Sequence, residues 1–147
     1  MIYLLDVNIL IYTFRQDSDF HTPCYQWLVG ILSKGHQIII PDINKVAFIR
    51  LSTLPSLGDK AATLNDVFTF LSALLKLKNS KQVFATKETY EQWHKLCQAY
   101  SLRGNHCNDA YLAALSLEYQ AILVSADKGF ARFNEITWLN PLHAKTA

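Results

Sequence analysis

An α/β fold, with a mostly parallel central sheet and helices on both of its faces, is predicted for this 147-residue chain by three observations. Short apolar, β-branched runs recur along the chain, each broken by a polar or turn residue, as buried parallel strands are. Between them lie stretches with apolar residues at helical spacing, and parallel strands need such helical crossovers. The length suits a single domain over 1–147, able to hide roughly two-thirds of the surface of the unfolded chain.

The first strand is Ile2 to Leu5, which breaks at Asp6 and so delivers a carboxylate at a strand end. Thr22 and Pro23 read as the N-cap and first-turn proline of a helix carrying Cys24, Trp27, Leu28 and Ile31, which stops before Gly35. Ile38 to Ile40 forms a second strand, ending at Pro41 and Asp42. Residues 43–52 follow a helical pattern, and 54–59, with a proline and a glycine, read as a loop. The next helix places Leu64, Val67, Phe68 and Leu71 on one stripe and runs to Lys76, where lysines suit a C-terminal end. Gln82 to Ala85 is a candidate third strand. Trp93, Leu96, Cys97 and Tyr100 mark another helix, closed by a polar loop over 101–108. Asp109 opens a helix with Ala110, Ala113, Ala114 and Leu117 on one stripe and Leu112 and Leu115 beside it, apolar enough to pack centrally. Ala121 to Val124 is the next strand and leads through Ser125 to Asp127, and Ile136 to Leu139 is the last.

Composition narrows the class without naming a function. Half the residues are apolar and 18% are charged, the balance of a globular protein rather than a disordered one. Three cysteines without paired spacing argue against a disulfide framework and for a reducing, cytoplasmic setting. The apolar start contains Asp6 and Asn8 and lacks a basic opening, so it reads as structure rather than as a secretory signal. No run approaches the ~20 apolar residues of a membrane span. A formal charge of +2 neither demands nor opposes a polyanionic partner.

In an open parallel sheet, ligands bind beyond the carboxyl ends of the strands, where Asp6, Asp42 and Asp127 fall, with Asp109 joining them from a helix N-terminus. Carboxylates gathered in one cleft repel each other and lose solvation unless a divalent cation neutralises them. Magnesium takes oxygen ligands, keeps several waters and is commonly shared with substrate phosphate, which makes a phosphodiester the natural substrate class. Each aspartate also has a plain structural explanation: Asp109 as a helix cap, Asp6 and Asp127 as turn residues, and Asp42 above all as one.

With these residues in place, the chain resembles the PIN-domain ribonucleases, and among them the VapC toxins of bacterial type II toxin–antitoxin pairs. The resemblance lies in LLDVNILIY around Asp6 and Asn8, in CNDAYLAALSLEYQAILVSAD from Asp109 to Asp127, and in GFARFNEITWLNPL near the end. It implies a PIN-like three-layer α/β/α sandwich, with Asp6, Asp109 and Asp127 as catalytic metal ligands and Asn8 and Ser125 supporting them. The implied cofactor is Mg2+ or Mn2+, the activity metal-dependent endoribonuclease leaving a 5′-phosphate, and the substrate a folded RNA such as tRNA or rRNA. A cognate antitoxin and a homodimer are implied as partners. One position departs from the family pattern: many members have a glutamate three residues before an arginine, where this chain has Ala47 before Arg50, and Asp42 is the nearest acidic substitute.

Arg50, Arg103, Lys128 and Arg132 are the cations that could hold RNA phosphates, though a solvated surface position is the commoner role for any one of them. Trp27, Phe68, Phe70 and Trp93 serve either core packing or partner contacts. Two other readings stay open at this point. The missing glutamate allows a catalytically degenerate PIN-like module that only binds RNA or antitoxin. A phosphotransfer α/β domain would also carry aspartates at strand ends, although Asn8 stands where an aspartyl-phosphate hydrolase would show a second aspartate.

Overall fold

The computed structural model describes residues 1–143. Five parallel strands, β1 (Ile2–Leu5), β2 (Gln37–Pro41), β3 (Ser80–Val83), β4 (Ile122–Val124) and β5 (Trp138–Leu139), form one sheet in the order β3-β2-β1-β4-β5. The chain builds outward from β1 to one side and then crosses to the other, so the order reverses between β1 and β4. That switch point leaves a crevice beyond the strand ends.

Period-two alternation sorts the strand residues to two cores. Tyr3, Leu5, Ile38 and Ile40 face the first, together with Ile9, Leu28, Phe48 and Leu71 from the helices α1 (Val7–Phe14), α2 (His21–Ser33), α3 (Asp42–Ser52) and α4 (Leu64–Leu75). Leu4, Ile39 and Leu123 face the second, with Leu96 from α5 (Lys87–Ala99) and Ala110, Ala113 and Ala114 from α6 (His106–Glu118). The small alanines bring α6 close to the sheet, and both faces of the strands are dry, which is why these strands read as continuous apolar runs. The result is the expected α/β/α sandwich.

Several boundaries differ from the sequence expectation. Helix α1 occupies 7–14, a stretch to which the sequence assigns no element, and begins directly on Asp6 as its N-cap. Helix α2 starts at His21 with Phe20 as cap, so Thr22 is not the cap; Pro23 falls in the first turn, where an intrahelical N–H partner is lacking anyway. Residues 55–60 form a 3-10 turn rather than open loop, with Gly58 at φ 58. Strand β3 lies two residues earlier than Gln82–Ala85, because pairing of Ser80 to Val83 with Ile38 to Pro41 sets its register. Its exposed Lys81 and Gln82 are those of an edge strand. Helix α6 begins three residues before Asp109, so that aspartate sits within the first turn instead of capping it.

Candidate active site

The backbone brings β1 and β4 into register at Leu5 and Val124, and the Asp6 N–H continues the ladder by donating to the Val124 carbonyl at 3.0 Å. The residues just past these strand ends therefore meet. Asp6 Oδ1 accepts from the Val7 N–H at 2.7 Å, capping α1, and Oδ2 accepts from the Ser125 hydroxyl at 2.7 Å and from Asn8 Nδ2 at 3.3 Å. Ser125, fully buried, also accepts from Asn8 Nδ2 at 3.1 Å and from the Asp127 N–H at 3.0 Å. The Asn8 amide closes the network by accepting from the Ala126 N–H at 3.2 Å. Asn8 and Ser125 thus tie the ends of β1 and β4 into one rigid piece.

A cleft of about 390 Å³ opens over this network, lined by Asp6, Asn8, Asp109 and Asp127 from one side and by Asn44, Ala47 and Arg50 of α3 from the other. Asp6 is only 6% exposed, and burial pushes its carboxyl above the ordinary range. The Ser125 and Val7 donors pull the other way, while Asp109 and Asp127 add repulsion. Asp109 is raised as well, first by burial and then by Asp127, against the lowering contacts of His106 and Arg132. Its Oδ2 stands 3.6 Å from His106 Nδ1 and 4.0 Å from Arg132 Nη2. Asp6 and Asp109 are thus both raised, with the charge of Asp127 adding repulsion to each.

Among the described residues, no three His, Cys, Asp or Glu side chains close on a point as a ready-made metal cage. The aspartates line an open cleft, which fits a hard dication that keeps most of its waters and uses only one or two carboxylates. The donor set, all oxygen with hydroxyl and amide support, suits a hard divalent cation better than zinc.

The other expected site residues divide. Arg50 lines the cleft and Arg132 approaches Asp109, but Arg103 and Lys128 are exposed and do not line it. Asp42 opens α3, is half exposed and pairs with Lys45 at 3.4 Å; it is not among the residues lining the cleft, which Ala47, more than a turn later, does line. Two residues outside the expected site set matter here. Asn44 is buried and donates to the Leu5 carbonyl at 2.9 Å, fixing α3 to the strand that carries Asp6; a polar residue inside an apolar helical stretch was the available clue. Gly129 donates to Asp127 Oδ1 at 2.8 Å and accepts from Arg132 Nε at 2.8 Å.

A parallel sheet with a buried aspartate at the end of its middle strand, and two more brought to the same crevice, defines an α/β protein with an acidic cleft at its switch point. The chain belongs to the PIN-domain family, which matches residues 3–136. It is similar to ribonuclease VapC43 of Mycobacterium tuberculosis strain H37Rv, 30% identical over 142 residues and covering 97% of each chain. Two toxin–antitoxin structures share the fold. VapBC2 from Rickettsia felis, bound to a DNA fragment from its promoter, aligns at TM-score 0.67 and 22% identity over 95% of this chain and 98% of that one. VapBC-1 from nontypeable Haemophilus influenzae aligns at TM-score 0.71 and 17% identity over 97% and 99%. These findings do not favour the phosphotransfer and degenerate-module readings.

Proposed function

We propose that this chain is the ribonuclease toxin of a VapC-type toxin–antitoxin pair, cutting RNA by metal-assisted hydrolysis. The observation that carries the reading is the position of Asp6: it is nearly buried at the end of the central strand, raised by burial and by the charges of Asp109 and Asp127, and held by Ser125. Such a group is costly to keep ionised unless a cation answers it.

In this reading Asp6, Asp109 and Asp127 hold one Mg2+ or Mn2+, directly or through water. When bound, the ion supplies Lewis acidity toward the scissile phosphate and lowers the pKa of an attacking water. The chain's own residues do the rest. Ser125 and Asn8 fix the Asp6 carboxylate, Gly129 fixes Asp127, and Arg50 and Arg132 supply charge for the phosphates that flank the cut. Ala47 leaves the α3 side of the cleft without a carboxylate.

The substrate is a folded RNA, with tRNA and ribosomal RNA the first candidates, and the setting cytoplasmic; among the described residues no helix is long and apolar enough to cross a membrane. A cognate antitoxin and a second copy of the chain are the expected partners. The exposed Val46 and Phe68, 62% and 50% accessible on α3 and α4, offer apolar surface for one of them.

The test is incubation of purified protein with total tRNA and ribosomal RNA, with and without Mn2+, followed by end mapping. Specific cleavage that needs the ion and leaves 5′-phosphates is expected, and Asp109→Asn should abolish it. No cleavage with any divalent ion, or equal cleavage in EDTA, would overturn the reading.

A further inference from the structure

The turn after β4 holds an aspartate and an arginine on the two polar backbone atoms of one residue. Gly129 donates its N–H to Asp127 and offers its carbonyl to Arg132 Nε, both at 2.8 Å. Its missing side chain leaves room for the guanidinium, since a Cβ there would come within 2.8 Å of Arg132 Nη2. Anchored at Nε and lying over the Phe133 ring at 5.7 Å, Arg132 turns Nη2 toward Asp109, 4.0 Å from Oδ2. Both side chains are shielded, at 28% and 18% exposure, so solvent and salt screen this pair less than an open surface pair.

The geometry points to Arg132 as the built-in counter-ion of the cleft, a positioning residue whose fixed charge offsets the aspartates and thereby sets how tightly they take a dication. This rests on the metal reading above and goes beyond it, by giving a cation of the chain a part in the affinity for the ion. Two cations drawn to the same carboxylates repel each other, so removing the fixed one strengthens the pull on the mobile one. Loss of Arg132 also removes a charge available to phosphate. Affinity for the ion and turnover of RNA then move in opposite directions, which a residue serving only the fold, or only RNA contact, would not cause.

The experiment combines Mn2+ titrations of the melting temperature with a double-mutant cycle in EDTA. Arg132→Gln keeps an N–H for the Gly129 carbonyl but no charge, and Arg132→Lys keeps the charge. In Arg132→Gln the half-saturating Mn2+ concentration is expected to fall about fivefold or more, and in Arg132→Lys to stay near wild type. In EDTA, Asp109→Asn should raise the melting temperature more in the Arg132→Gln background than in the wild type. Equal gains in the two backgrounds overturn the counter-ion role, as does an unchanged or raised half-saturation in Arg132→Gln, or the same fall in Arg132→Lys. Coupling in EDTA together with no Mn2+ response in the wild type upholds the ion pair and overturns the metal reading and the affinity effect with it.

Discussion

The Ser125 hydroxyl donates to Asp6 at 2.7 Å, joining two residues 119 positions apart at the ends of neighbouring strands. The same oxygen accepts from Asn8 and from the Asp127 backbone, so one buried atom sets the place of two aspartates. Replacing Ser125 with alanine leaves the Asp127 N–H without its acceptor and strips Asp6 Oδ2 and Asn8 Nδ2 of one bond each, with only the 3.3 Å bond between the two remaining. A loss of about 1–3 kcal/mol is expected for such unsatisfied groups, measured by urea unfolding at pH 7. RNA cleavage should fall about 10–100-fold, the range for residues that orient metal ligands.

Asp109→Asn separates activity from stability. The Asp109 carboxyl is raised above 3.8 by burial and by Asp127, so the folded state holds its proton more tightly than the unfolded chain. A raised folded pKa contributes stability below the unfolded pKa and loses it as pH rises through the folded pKa. At neutral pH without divalent ions the wild type has lost this contribution, whereas an asparagine has nothing to ionise. The variant should melt higher than wild type at pH 7 in EDTA, with the gap closing as pH falls toward 3.8, while cleavage disappears. Melting curves across that pH range check the sign; a variant less stable than wild type at pH 7 would contradict it.

Ala47 lines the cleft on α3, and no carboxylate of that helix is among the lining residues, Asp42 pairing with Lys45 instead. Ala47→Glu should lower the half-saturating Mn2+ concentration by up to about tenfold, as a contact worth ~1.4 kcal/mol would. It should also lower the melting temperature in EDTA, because a further negative charge joins an already repulsive cleft. Thermal melts with and without the ion measure both effects.

Arg50 lines the cleft at the end of α3 and is exposed. If it holds a phosphate, Arg50→Ala should weaken RNA binding at low salt and reduce the slope of log affinity against log salt by about one. The melting temperature should barely change. Filter binding of the RNA to the Asp109→Asn background at several salt concentrations gives the slope without cleavage.

What the sequence determined by itself is whatever local burial writes into residue order. The runs at 2–5, 38–40 and 121–124 are apolar on both sides because those strands are covered on both faces, and the alanine stripe of α6 announces a helix packed close to a sheet. Asp6 and Ser125 could be read because each directly follows a buried strand, and Asp127 because it lies two residues past Ser125; a parallel sheet sends such positions to one edge. Tertiary structure alone decided the rest. The edge strand β3 carries polar residues where it meets solvent, so only its pairing with β2 reveals its register. Asp42 and Ala47 lie on the same helix, and which of them meets the cleft depends on how α3 packs, a matter settled by the Asn44 bond to Leu5 and not by spacing. The place of Arg132 beside Asp109 depends on a turn in which a glycine serves both neighbours at once. Contacts of that kind join distant parts of the chain, and periodicity, which records only the near side of each residue, leaves no trace of them.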